Sequence, residues 1–140
     1  IFIRYRTLKL SIPIMFTCAA EVVLILGFAS VVGWNLDLAA IAAIIIAIGT
    51  GVDHQVVIAD ETLRKDVGAQ HIDWKARFKN AMFNIISAFF TTASSMAVLY
   101  FAGAGLLKGF AITTIAGLAL GVFITRPAYA SILQILIKED

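Results

Sequence analysis

Apolar positions in this chain gather into four blocks, at residues 11–32, 38–59, 81–101 and 109–125, separated by charged or glycine-containing breaks. A run of about 18 or more predominantly apolar residues is long enough to cross the hydrocarbon core of a bilayer as a helix. The pattern therefore predicts an all-α fold, a polytopic membrane helix bundle of four transmembrane helices. After the fourth block come Arg126-Pro127 and a second apolar stretch, 128–137. That stretch either prolongs the fourth helix past the membrane or lies along its surface. The breaks are a basic segment at 1–10, the Gly33-Trp34-Asn35 turn with Asp37, a charged connection at 60–80, and the tight loop Gly103-Ala104-Gly105 leading to Lys108.

Composition supports that pattern. Hydrophobic residues make up 61% of the 140 residues and charged ones 14%, against roughly 45–50% and about 25% in soluble domains. The placement of charge says more than its sum. Arg4, Arg6 and Lys9 precede the first block, and Arg64, Lys65, Lys75, Arg77 and Lys79 lie in the long connection beside Asp66 and Asp73. The two short turns carry Lys108 alone. Basic loops face the cytoplasm, so the expected orientation puts both basic segments and the C-terminus inside and both tight turns outside. Basic residues at helix ends suit lipid headgroups and form no stripe for nucleic acid, so the expected partners include the lipid bilayer and no nucleic acid. The single cysteine, Cys18, allows no internal disulfide and reads as a small apolar residue. The chain opens on Ile1-Phe2-Ile3 without an initiator Met. The expectation is a piece of a longer protein, with the first residues closing a preceding helix.

Asp53 is the position that most needs a chemical reason. It lies 15 residues beyond Leu38 and 7 before Asp60, or about 22 Å and about 10 Å at ~1.5 Å per residue. Ionisable groups at that depth are costly and mark ion or proton paths. Because desolvation disfavours the charged form of an acid, Asp53 is the expected proton-coupling residue. Gly49 and Gly51 just before it allow close helix approach or local loosening. In the third block Asn80, Asn84, Ser87, Thr91 and Ser95 recur at helical spacing. Ser87 lies as far from the inner end as Asp53, so the stripe Asn84, Ser87, Thr91 and Ser95 is expected to face Asp53, or to form a packing seam. Gly117 and Gly121 make a small-xxx-small pair for close packing. Glu21, near the middle of the first block, is either a second protonatable site or a hydrogen-bonded glutamic acid. His54 is a further relay candidate, though neighbours on a helix point about 100° apart. Arg126, at the end of the fourth block, is expected to reach for headgroups.

No metal-ligand cluster, nucleophile–base pair or phosphate-cradling loop is present, so no enzyme activity, metal or cofactor is expected. Gly49-Thr50-Gly51-Val52-Asp53 resembles the Gly-x-Gly-Asp signature of intramembrane aspartyl proteases. It carries one residue too many, and no second mid-membrane Asp is available.

A closer resemblance covers residues 34–126. The run 48–64, with Gly49, Gly51, Val52 and Asp53 followed by an apolar stretch and Asp60-Glu61, resembles the fourth transmembrane helix of the SecD branch of the SecD/SecF protein-export family. Phe101, Gly103, Gly105, Lys108, Gly109 and Phe110 resemble the segment between that family's fifth and sixth helices, and Phe123-Ile124-Thr125-Arg126 its close. His54-Gln55 stands where bacterial members usually carry a small residue and Asn, which points to an archaeal-type member. The resemblance implies helices three to six of a resistance–nodulation–division-type half, with SecF, the Sec translocon and the exported polypeptide as partners. It also implies use of the proton gradient to promote export, with Asp53 at the position of the family's intramembrane Asp. Two other roles fit the residues: a half-transporter of the same superfamily moving a lipid or small molecule, and a structural subunit that transduces nothing.

Overall fold

The structure, a computed structural model, describes residues 1–63 and 74–138. Arg64, Lys65, Asp66 and Asp73 lie outside the described residues. The elements are α1 (Phe2–Tyr5), α2 (Leu8–Val32), α3 (Leu38–Leu63), α4 (Trp74–Ala102), α5 (Leu106–Leu120), a five-residue π-helical segment (Gly121–Thr125) and α6 (Arg126–Lys138). Four helices are long and apolar enough to cross a membrane: α2, α3, α4 and the continuous Leu106–Lys138 helix.

Local chemistry explains the stops. Gly33 takes a left-handed backbone with φ of 71°, and the Gly33 and Trp34 amides donate to the Ser30 and Ala29 carbonyls. This paired closure ends α2 and favours glycine at that position. Asp37 Oδ1 then accepts from the Ala40 amide at 2.7 Å, capping the first turn of α3. Gly105, with φ of 53°, makes the bend before α5.

Two helix ends differ from the sequence expectation. Residues 60–63 and 74–80, expected within a cytoplasmic loop, are helical and extend α3 and α4 beyond the apolar blocks. Glu61, Lys75, Ala76, Arg77 and Lys79 in these stretches are good helix formers. The fourth helix continues through Arg126 and Pro127 to Lys138. At 33 residues it measures about 50 Å, well over the ~30 Å hydrocarbon core.

The packing is lopsided. α5 lies against α3 and α4, and α2 against α3 and α6. The main core gathers Ile14, Ile58, Ala81, Ile85, Phe89, Leu118, Val122, Tyr129 and Leu133. Buried positions of α4 are confined to Arg77, Ala81, Ile85 and Phe89, one stripe at every fourth residue. Most of α4 is thus left on the outside of the chain.

Candidate functional site

The acid buried inside the bundle is Glu21, and its partner is Arg126. Both side chains are wholly buried (0% exposed), with Arg126 Nη1 donating to Glu21 Oε2 at 2.7 Å. Glu21 lies 13 residues in from Leu8 and Arg126 12 residues in from Lys138, so the two helices present opposite charges at the same level. Arg126 Nη1 also donates to Thr125 Oγ1, whose hydroxyl donates to the Gly121 carbonyl at 2.8 Å. The π-helical widening between Gly121 and Thr125 thus brings the start of α6 into the pair. Such single-turn π insertions are frequent at functional sites.

Two glycines make room for the pair. A methyl at Gly51 would stand 2.7 Å from Glu21 Oε2 and 3.1 Å from Arg126 Nη2. One at Gly121 would stand 2.6 Å from Glu21 Oε1 and 2.7 Å from Arg126 Nη1. Gly117, a turn earlier, lets α5 close on Ala47 and Ile25, 3.1 and 3.2 Å from where its methyl would be. Gly51, Gly117 and Gly121 are close-approach positions. Gly49 is different: nothing lies within 4 Å of its missing side chain.

The expectation that Arg126 reaches for headgroups fails. It rested on placing the inner surface at the close of the fourth apolar block, whereas the helix continues to Lys138 and the guanidinium stays inside the bundle. The readable signal was the apolar stretch 128–137, which gives the helix an end at Lys138 instead.

Around the pair lies a polar neighbourhood that the sequence disclosed only in part. Cys18 Sγ contacts Gln55 Oε1 at 3.8 Å. Glu21 Oε1, His54 Nδ1, Gln55 Nε2, Arg126 Nε, Arg126 Nη2 and Tyr129 Oη are buried without a hydrogen-bond partner among the described residues. His54 faces inward here, while Asp53 points out from the other side of α3.

Asp53 is exposed at the surface of the chain. It shares the outward face of α3 with Ile46, Gly49, Val57 and Asp60, all exposed. Asn84, Ser87, Thr91 and Ser95 are likewise exposed on α4. Ser87, Thr91 and Ser95 donate to the carbonyls of Phe83, Ser87 and Thr91 at 2.8, 3.0 and 3.1 Å. The stripe lies about 100° round the helix from the packed one.

Where α1 meets the end of α3, Arg4 pairs with Asp60 at 3.0 Å. Tyr5 Oη donates to Asp60 Oδ1 at 2.8 Å and to the Val56 carbonyl at 3.3 Å. Burial, and next the hydrogen bond to Asp60, push the Tyr5 hydroxyl above its ordinary value. Among the described residues no cluster of His, Cys, Asp or Glu is placed to hold a metal ion.

Comparison with known proteins covers nearly the whole chain. The family described as "Protein export membrane protein SecD/SecF, C-terminal" matches residues 1–138. The protein-export membrane protein SecD of Methanocaldococcus jannaschii is 50% identical over 137 residues, covering 98% of this chain and 34% of the relative. That of Methanopyrus kandleri is 48% identical over 134 residues, covering 96% of this chain and 33% of the relative. The protein translocase subunit SecD of Rhodobacter capsulatus is 38% identical over 95 residues, covering 66% of this chain and 17% of the relative. The chain thus spans about a third of the length of the two archaeal relatives. A four-span helical bundle, matched from its first residue almost to its last, belongs to the SecD/SecF C-terminal family of protein-export membrane proteins.

Proposed function

We propose that this chain is a portion of the membrane domain of a protein-export subunit that uses the proton gradient to promote translocation through the Sec translocon, with Asp53 as the proton-coupling residue. One observation carries the reading. Asp53 lies on the outward face of α3, ten residues in from Leu63. A carboxylate at that depth against lipid costs at least about 2.5 kcal/mol, so a second polypeptide has a large energetic reason to cover it. SecF, the other half of a pseudo-symmetric pair, is the partner this reading assigns. Its polar groups would face Asp53, with the α4 stripe Asn84, Ser87, Thr91 and Ser95 at the border of the same interface.

Protonation of Asp53 removes a charge from that interface, and deprotonation restores it. A charge moved through about 100 mV gains about 2.3 kcal/mol, enough to shift a two-state arrangement of the helices by more than tenfold. Gly49, open on the same face, leaves space beside Asp53 for a partner helix to approach or move. His54, pointing inward, and Glu21, paired with Arg126, are secondary proton sites on this reading. The distribution of Lys and Arg orients the chain with its C-terminus in the cytoplasm.

The test replaces Asp53 with Asn in the full-length complex and measures export with and without a proton gradient. Export in Asp53→Asn should fall to the level seen when the gradient is collapsed, with assembly intact. Gradient-dependent export at the wild-type rate would remove Asp53 from the mechanism.

A further inference from the structure

The polar groups inside the bundle do not stop at the ion pair. Proceeding toward the Asp60 end, Glu21 and Arg126 are followed about one turn on by Cys18 on α2, Gln55 on α3 and Tyr129 on α6, Tyr129 three residues beyond Arg126. Tyr129 is wholly buried in the main core and lies within electrostatic reach of both Cys18 and Asp60. Tyr5, hydrogen-bonded to Asp60, feels the Tyr129 hydroxyl as well. These groups make a file from the Arg4–Asp60 pair at the surface to the Glu21–Arg126 pair inside. Along α3 it spans from Asp60 to Gly51, about 13 Å.

The inner part of the file is unsatisfied. Tyr129 Oη, Gln55 Nε2, His54 Nδ1, Arg126 Nε and Nη2, and Glu21 Oε1 have no hydrogen-bond partner among the described residues. Their residues are 0–8% exposed. Each buried polar atom without a partner costs about 1–3 kcal/mol, and more when charged. Helices α2, α3 and α6 all contribute such atoms. Rotation within the pair could join Glu21 Oε1 to Arg126 Nη2, but Gln55, His54 and Tyr129 would still lack partners. Buried water is the usual remedy, making about three hydrogen bonds to otherwise unpaired groups and binding only where several converge.

We propose that the Asp60 end of the bundle is a hydrated inlet, a water-binding file on Tyr129, Gln55, His54 and Arg126 that joins the surface to the Glu21–Arg126 pair. Water there solvates the free edge of the guanidinium and the free carboxylate oxygen. It also gives protons a way to Glu21 separate from the outward face that carries Asp53. The charged and titratable groups facing the file are Cys18 and Glu21 from α2, His54 and Asp60 from α3, Arg126 and Tyr129 from α6, and Arg4 and Tyr5 from α1. The inlet stands or falls independently of proton coupling at Asp53.

Cys18 is a built-in reporter because its sulfur touches Gln55. Thiolate-selective methanethiosulfonate reagents need an ionised thiol, which requires contact with water. The experiment uses the full-length protein in lipid nanodiscs with every other cysteine replaced. It compares the labelling rate of Cys18 with that of Met15→Cys in a Cys18→Ser background. Met15 lies nearer the end of α2 but is exposed on the bundle's outside, toward lipid. Cys18 should react at least about tenfold faster, a difference of about 1.4 kcal/mol. Gln55→Leu, an apolar side chain of similar size, should bring Cys18 down to the Met15→Cys rate. Tyr129→Phe, which removes only a hydroxyl, should slow it in the same direction and serves if Gln55→Leu fails to fold. Equal rates for Cys18 and Met15→Cys, or a Cys18 rate untouched by Tyr129→Phe, would overturn the inlet.

Discussion

At the scale of single residues the sharpest consequences gather at the buried pair. Removing one partner of a buried ion pair leaves an uncompensated charge and costs about 3–5 kcal/mol, whereas replacing both by apolar residues of similar volume is often close to neutral. Arg126→Ala should therefore destabilise the bundle by about that amount, while Glu21→Leu combined with Arg126→Met recovers most of it; thermal unfolding of the detergent-solubilised protein measures both. Gly51→Ala should cost about 1–3 kcal/mol by overpacking, because its methyl would meet Glu21 Oε2 at 2.7 Å. Gly49→Ala, with nothing within 4 Å, should leave folding intact. The Tyr5 contact gives a pH dependence. Its hydroxyl titrates higher folded than unfolded, so its stabilisation is complete below about pH 10, the unfolded value, and is lost as pH rises through the folded value. Hydrogen exchange at the α1 amides, followed up the pH scale, should show protection falling above pH ~10 in the wild type and no such step in Tyr5→Phe.

Among the elements, the π-helical turn decides where Arg126 points. Deleting Phe123, an exposed residue of that turn, should restore α-helical winding and rotate α6 by about 100° against α5, carrying Arg126 away from Glu21. The deletion should cost about as much stability as Arg126→Ala, and the two together little more than either, since both remove one interaction. The four helices were legible in the apolar blocks because a bilayer imposes a minimum run length. The π turn was not, because a five-residue change of winding leaves no mark on hydropathy. Arg126 was misplaced for that reason: the apolar block closes at Thr125, while the helix runs on through Pro127 to Lys138 and keeps the guanidinium inside. Depth counting singles out Asp53 and Ser87 as candidates, yet periodicity alone does not say which face of α3 turns inward. That depended on Gly51 packing against the side chains of Glu21 and Arg126, both far away in sequence.

The whole bundle is finished on one side and unfinished on the other. α2, α3 and the Leu106–Lys138 helix close around the ion pair, while α4 touches them along a single stripe. Ser87→Leu should leave the thermal stability of the isolated chain within about 0.5 kcal/mol, since among the described residues the Ser87 hydroxyl bonds only to the Phe83 carbonyl of its own helix. On the proposed assembly it should reduce co-purification with the partner subunit. A role confined to the isolated chain predicts no change in co-purification. Gly51 and Gly121, pressed against one salt bridge, are sterically tied to Glu21 and Arg126: while the charged pair stays, a larger residue at either glycine meets it. Laboratory evolution begun from the double variant Glu21→Leu with Arg126→Met should accept alanine or serine at both glycines, and lineages that do so should lose the way back to the charged pair.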